Sequence, residues 1–334
     1  MVIKVVLDAP LTIGETVQTM AEALISAVTP RSQRVFTSSH VQAYGKRLCV
    51  FSHFDPLDRV DPHVLHHLRA LQALGCDVVF VTPCRELTES DRAQLLTICH
   101  KVILRRNLGY DFGSYRAGIL EMADAHDYEQ IVLVNDSVYG PLHDLKGIFD
   151  EFARRDVDIW SITDSFEHEY HLQSYFLVFR RSAWRHPLIQ QFWRRLWLVN
   201  GKRAAIHLYE IGLSRVAKRA RLRLEAWCDY ARVNEAVMRN AGELLSGSSE
   251  GDTKLNEIER RRLTQLLDVG LGNYCNITHF YWDYLIRDYR CPYLKVELLR
   301  TNPSRILNTG FYRDVIPAFY PHDLISEHLR RIGR

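Results

Sequence analysis

Two short apolar, β-branched runs near the middle of the chain constrain its fold more than any other feature. Residues 102–104 (V-I-L) and 131–134 (I-V-L-V) read as buried strands, and each stops at small and polar residues. R-R-N-L-G-Y-D-F-G-S-Y-R follows the first run and N-D-S-V-Y-G-P-L the second, with enough chain between them for one helix. The pattern is that of a βαβ unit, and open α/β sheets bind ligands outside the carboxyl ends of their strands. Asn107, Gly109, Asp111, Asn135, Asp136 and Ser137 would lie there. Taken singly, Gly and Asn are ordinary turn residues, and Asp before a helix is an ordinary cap. Two such loops after adjacent strands are what point to a site. The D-F-G at 111–113 also matches a kinase signature, but no H-R-D-type loop or Gly-rich phosphate loop accompanies it, and that reading is set aside.

The same alternation begins earlier. L-C-V-F-S-H-F-D-P from Leu48 is a strand running into a polar turn, residues 63–74 carry apolar side chains at helical spacing up to Gly75, and residues 77–82 form a second strand closed by Pro83. Ser52, His53, Asp55 and Thr82 therefore fall at strand ends, although a lone His there more often packs or caps than binds. Residues 2–7 read as a short strand and 15–28 as a helix; neither speaks to chemistry. Helices are expected at 91–100 and 145–154, and strands at 158–163 and 172–180. The polar run T-D-S-F-E-H-E-Y-H between those two strands reads as a loop, with Asp164, Glu167 and His171 as candidate site residues.

From Arg180 to Arg223 there are twelve Lys or Arg residues against one acid, Glu210. On a regular helix Ala205, Leu208, Tyr209, Gly212 and Val216 share a mostly apolar face, and Glu210 points away from it. No Lys or Arg is spaced three or four residues from Glu210 to pair with it, so it is either idle or faced by another part of the fold. Residues 246–252 (S-G-S-S-E-G-D) read as a flexible connector and 258–267 as a charged helix, inserted before an aromatic-rich helix and a Pro-bounded element containing Lys295, Arg300 and Asn302.

With 334 residues, 47% apolar and 25% charged, the chain has the composition of a soluble globular protein and the length for one large α/β domain with an appendage or for two domains. A net charge of +3 gives no argument for nucleic acid. No run approaches the roughly eighteen apolar residues of a membrane span, and the N-terminus lacks a signal peptide's pattern, so a cytoplasmic protein is expected. Seven scattered cysteines without a C-x-x-C pair suit reduced thiols and argue against zinc.

The sequence resembles the rhamnan synthesis F family of bacterial polysaccharide glycosyltransferases. The resemblance is carried by R-R-N-L-G-Y-D-F-G-S-Y-R from Arg105, V-N-D-S-V-Y-G-P-L from Val134, W-S-I-T-D-S from Trp160, H-L-Q-S-Y-F-L-V-F from His171, Y-E-I-G-L-S from Tyr209, and N-I-T-H-F-Y-W-D with P-Y-L-K-V-E-L-L-R-T-N-P near the end. It implies a GT-A-like nucleotide-sugar-binding α/β fold with a mostly parallel central sheet flanked by helices. The organisation expected is a 1–45 extension, a 46–310 glycosyltransferase domain with a helical insertion around 230–270, and a 311–334 tail. It also implies transfer of L-rhamnose from dTDP-rhamnose to a lipid-linked glycan of a cell-surface polysaccharide or lipopolysaccharide.

By the same resemblance, Ser52 to Asp55 and Thr82 lie under the base, and Asn107 to Asp111 wall the nucleotide site. Asn135-Asp136-Ser137 takes the place of the usual Asp-x-Asp, leaving Asp136 as the one carboxylate for Mg²⁺ or Mn²⁺. Arg105, Arg106, Lys295 or Arg300 would neutralise the diphosphate. An inverting displacement needs a base for the acceptor hydroxyl, for which Glu210 is the first candidate and Asp164 the second. Basic residues such as Arg194, Arg195, Lys202, Arg203, Lys218 and Arg219 would rest on anionic lipid headgroups or simply solvate a helix. Two other classes stay open: a non-catalytic nucleotide-sugar-binding scaffold, and a phosphohydrolase built on Asp136.

Overall fold

The computed structural model describes residues 12–28, 33–41, 43, 45–122, 127–246, 257–272 and 274–333. The expected strand at 2–7 and the connector from 247 onward lie outside the described residues. The strands, in chain order, are β1 (Arg34–Thr37), β2 (Arg47–Ser52), β3 (Cys76–Thr82), β4 (Lys101–Leu104), β5 (Gln130–Asn135), β6 (Val138–Tyr139), β7 (Ile159–Ser165), β8 (His171–Leu172), β9 (Phe176–Arg180), β10 (Leu224–Cys228) and β11 (Leu294–Lys295). The chain divides into two compact units. The first is 1–136, 154–161 and 171–224, and the second is 137–153, 162–170 and 225–334.

The first unit is built on a sheet of order β1-β4-β3-β2-β5-β9-β7. Its centre, β4-β3-β2-β5, is parallel, while β9 runs antiparallel to both β5 and β7, and β1 antiparallel to β4. Leu48, Cys49, Val50 and Phe51 of β2 are fully buried, as expected of a parallel strand covered on both faces. Chain order departs from β2 in two directions, through β3 and β4 on one side and to β5 on the other. The topological switch point therefore lies between the carboxyl ends of β2 and β5, where open α/β sheets form their ligand crevice. This is the expected α/β class with a mostly parallel central sheet. The helix Tyr110–Glu121 lies directly on β2 and β3 because Gly118 has no side chain: a Cβ there would stand 2.5 Å from Val50 Cγ1 and 3.1 Å from Val81 Cγ2.

Several local expectations are corrected. Residues 34–37, read as part of an extension, form β1 on the edge of the sheet. The expected strand 172–180 is two, β8 and β9. Asp164 and Ser165, read as loop residues, continue β7, and both are buried. The seven cysteines are all buried free thiols.

In the second unit β6 pairs antiparallel with β11. Its core gathers Tyr139, Leu142, Trp282, Leu298, Ile325 and Leu329. Residues 311–334, expected as a tail, thus supply core side chains through the helix Asp323–Arg331. No helix among the described residues is long and apolar enough to cross a membrane.

Candidate functional site

The switch point of the first unit collects most of the strand-end residues singled out from the sequence. Asp111 does not serve as an ordinary cap: it sits inside the first turn of its helix, whose N-cap is Gly109. It is held from two strands at once: Ser52 Oγ donates to Oδ1 at 2.9 Å and Asn135 Nδ2 to Oδ2 at 2.8 Å. Asp136, one residue past β5, accepts the Phe54 backbone N–H at 2.8 Å, and His53 Nε2 stands 3.9 Å from the same oxygen. His53 Nδ1 in turn lies 3.1 Å from Thr82 Oγ1 at the end of β3. Asp55 turns back on its own loop, accepting from the backbone N–H groups of Leu57 and Arg59.

Burial pushes the Asp136 carboxyl well above the usual carboxylate range; the Phe54 hydrogen bond opposes the shift, and the charges of Asp111 and Asp55 add to it.

The loop after β4 is shaped by Arg105. Its guanidinium is buried and donates to the carbonyls of Arg106, Leu108 and Tyr110 and to Ser114 Oγ. Desolvation lowers its pKa to about 10, with Asp111 and Tyr209 opposing the shift. Arg105, considered from sequence as a partner for a diphosphate, is occupied in bending its own loop. That loop is also clasped by Asn200: Oδ1 accepts from Gly109 N at 2.9 Å, Nδ2 donates to Asn107 O at 3.4 Å, and the Asn200 carbonyl accepts from Tyr110 Oη. Gly109 sits at φ +79°, and a Cβ there would meet Leu198 Cδ2 at 2.7 Å. The Asn107 and Arg106 side chains are exposed.

Glu210 belongs to the same unit and is not idle. The expected regular helix is corrected here: Ile206–Ile211 form a π-turn leading into the helix Gly212–Arg219, and such turns often mark functional positions. Ser174 Oγ donates to Glu210 Oε1 at 2.5 Å, and His171 Nε2 lies 3.5 Å from Oε2. The Ser174 carbonyl accepts from the Tyr115 hydroxyl at 2.9 Å, and the neighbouring Tyr175 carbonyl accepts from Asn135 N at 3.2 Å.

Tyr115 ties the two halves of the site together. Its hydroxyl is raised well above the ordinary phenol range, first by burial and then by the negative charges of Asp111, Glu210 and Asp136, among others. Three carboxylates from three segments thus act electrostatically on one buried tyrosine. Tyr115, Ser174 and Asn200 were not singled out from the sequence, although Tyr115 and Ser174 lie inside R-R-N-L-G-Y-D-F-G-S-Y-R and H-L-Q-S-Y-F-L-V-F.

The remaining candidates lie in the second unit. Asp164 is buried, accepts the Tyr230 backbone N–H at 2.8 Å, and has its pKa pushed up to about 7, chiefly by burial. Lys295 Nζ donates to Ser137 Oγ at 3.3 Å, and Arg300 is exposed at the end of the helix Val296–Arg300.

A sequence model of the family described as rhamnan synthesis protein F matches residues 78–243. The uncharacterized protein y4gN of Sinorhizobium fredii is 33% identical over 153 residues, 44% of this chain and 40% of its own length. The chain thus spans less than half of that relative. Virulence protein VirA of Vibrio anguillarum is 27% identical over 223 residues, 65% of this chain and 67% of its own. Among solved structures, S. aureus TarS (residues 1–349) is 12% identical with a TM-score of 0.34, covering 86% of this chain and 92% of that one. The mannosyltransferase Ktr4p of S. cerevisiae is 10% identical with a TM-score of 0.31, covering 63% and 78%.

Proposed function

We propose, from the premise that this chain belongs through residues 78–243 to the rhamnan synthesis protein F family, that it is a polysaccharide glycosyltransferase moving L-rhamnose from dTDP-rhamnose onto a lipid-linked glycan. The single observation carrying the reading is the gathering of acids at the switch point of the sheet, with Asp111 held by Ser52 and Asn135, Asp136 by Phe54 N, and Glu210 by Ser174, whose carbonyl accepts from Tyr115.

In this reading the donor's base and ribose lie over Ser52 to Asp55 and Thr82, and Asn107 to Asp111 wall the diphosphate. Glu210 takes the proton of the acceptor hydroxyl as the acceptor oxygen attacks the anomeric carbon and the bond to the diphosphate breaks with inversion. Ser174 and His171 fix the carboxylate, and its partial exposure leaves it open to an incoming hydroxyl. Asp164 is the second candidate base, its raised pKa suiting proton transfer near neutral pH.

The Asp136 carboxyl at the end of β5, which also feels the charges of Asp111 and Asp55, would hold a divalent cation such as Mg²⁺ or Mn²⁺ together with water and diphosphate oxygens. When bound, the ion would neutralise charge on the departing diphosphate. Lys295 and Arg300 are proposed for the same task from the protein side.

Support for a lipid-linked acceptor comes from a cavity of about 330 Å³ lined by Leu188, Phe192, Leu196, Trp197, Leu208 and Val216, with Arg195 and Arg219 among its residues. Together with exposed Arg194, Lys202, Arg203 and Lys218, it suits peripheral contact with an anionic membrane face. A thermal-shift screen of nucleotide sugars with and without Mn²⁺ tests the reading. A ligand at a hundred times its Kd stabilises by about 2.7 kcal/mol, so dTDP-rhamnose should raise the melting temperature. No shift with any dTDP- or UDP-sugar would sink it.

A further inference from the structure

The second unit carries a pocket that the transfer chemistry above does not use. It has a volume of about 480 Å³, within the span of small-ligand sites, and includes Phe166, Tyr230, Asn234, Glu235, Met238 and Tyr274. Its aromatic rings form one cluster. Phe166 and Tyr274 stack with centroids 5.0 Å apart at 23°, and Tyr230 stands against both, 5.4 Å from Phe166 and 5.6 Å from Tyr274. Ordinary core packing would bury such a cluster. Instead Tyr274 is 61% exposed at its edge.

The polar groups come from one face of the helix Tyr230–Ser246, since Tyr230, Asn234 and Met238 are spaced at i, i+4 and i+8. Asn234 Oδ1 accepts the Tyr281 hydroxyl at 2.5 Å, so the group its carboxamide has left to offer a ligand is a donor. Glu235, an exposed carboxylate, is an acceptor.

An exposed aromatic face flanked by one amide donor and one carboxylate acceptor matches the two-sided chemistry of a sugar. The C–H face of the ring lies on the negative face of an aromatic, and hydroxyls at the rim both donate and accept. We propose that this pocket is a saccharide-binding site for a glycan, with the exposed face of Tyr274 as the stacking surface and Asn234 and Glu235 reading hydroxyls. The proposal rests on the glycosyltransferase reading, since a glycan is the substrate that reading requires besides the nucleotide sugar.

The test uses the full chain and two separate readouts. Saturation-transfer NMR with a synthetic tri-rhamnoside reports the glycan, and thermal shift with dTDP-rhamnose reports the donor. Wild type should receive saturation at the tri-rhamnoside's ring protons. Tyr274→Ala, at an exposed position, should weaken tri-rhamnoside binding at least tenfold and leave the donor shift unchanged, and Tyr274→Phe should restore binding. The proposal is overturned if wild type gives no transfer while the donor shift is present, if Tyr274→Ala binds the tri-rhamnoside as wild type does, or if that variant loses the donor shift instead. Loss of both signals in wild type would overturn the glycosyltransferase reading along with it.

Discussion

Ser174 Oγ donates to Glu210 Oε1 at 2.5 Å, joining the loop before β9 to the π-turn that follows the basic helices. A glutamate that the sequence leaves without a helical partner is thereby fixed across the fold, with His171 on its other oxygen. Glu210→Gln keeps an oxygen for Ser174 to donate to and removes the basic carboxylate. Transfer should fall by about 10²–10⁴-fold, the usual contribution of a positioned base, while the dTDP-rhamnose thermal shift persists. Full activity in the variant would remove Glu210 from the role.

Asp164 predicts a pH dependence of stability. Its folded pKa of about 7 lies above the ordinary carboxylate value of 3.8, so between these values the native state holds a proton that the unfolded chain has released. This contribution is present below about pH 4 and is lost as pH rises through about 7, amounting to about 4 kcal/mol at about 1.4 kcal/mol per pKa unit. Urea unfolding at pH 5 and pH 8 should therefore show a steeper loss of stability for wild type than for Asp164→Asn. Parallel profiles would contradict it.

Gly109 occupies the left-handed region, with Leu198 against the place of a Cβ. Gly109→Ala should cost about 2 kcal/mol, combining the backbone penalty with the displacement of Leu198. Equilibrium denaturation is the measurement, and an unchanged midpoint would show that the loop accommodates the methyl group.

Asn200 clasps the loop from Asn107 to Tyr110, and its own backbone N–H is held by Glu22 of the helix Ile13–Val28. Asn200→Ala removes the acceptor for Gly109 N and loosens the proposed diphosphate wall. The KM for the nucleotide sugar should rise about tenfold, equivalent to about 1.4 kcal/mol, with kcat changed much less. A fall confined to kcat would point to a role other than positioning.

Much of the α/β layering was legible in the chain, because buried parallel strands are short apolar runs that stop at polar turns. β2 to β5 and the helices between them are written that way, and the strand-end residues Ser52, His53, Thr82, Asp111, Asn135 and Asp136 follow from the layering. Strands that lack such a run were missed. β1 has three of its four residues exposed, and β10 mixes Glu225 and Trp227 with small residues.

The sequence by itself determined the buried parallel strands β2 to β5 and at which ends the acids would sit, since those depend on local periodicity and turn chemistry. Only the tertiary structure decided the partners. Asp111 is gripped by Ser52 and Asn135, residues 59 and 24 positions away, and Glu210 by Ser174, 36 positions away. The π-turn shifts Glu210 off the direction a regular helix would give it, and burial sets the pKa values of Asp136 and Asp164. Hydrogen bonding across strands and desolvation depend on what the chain brings alongside a residue, and no window of neighbouring residues contains that information.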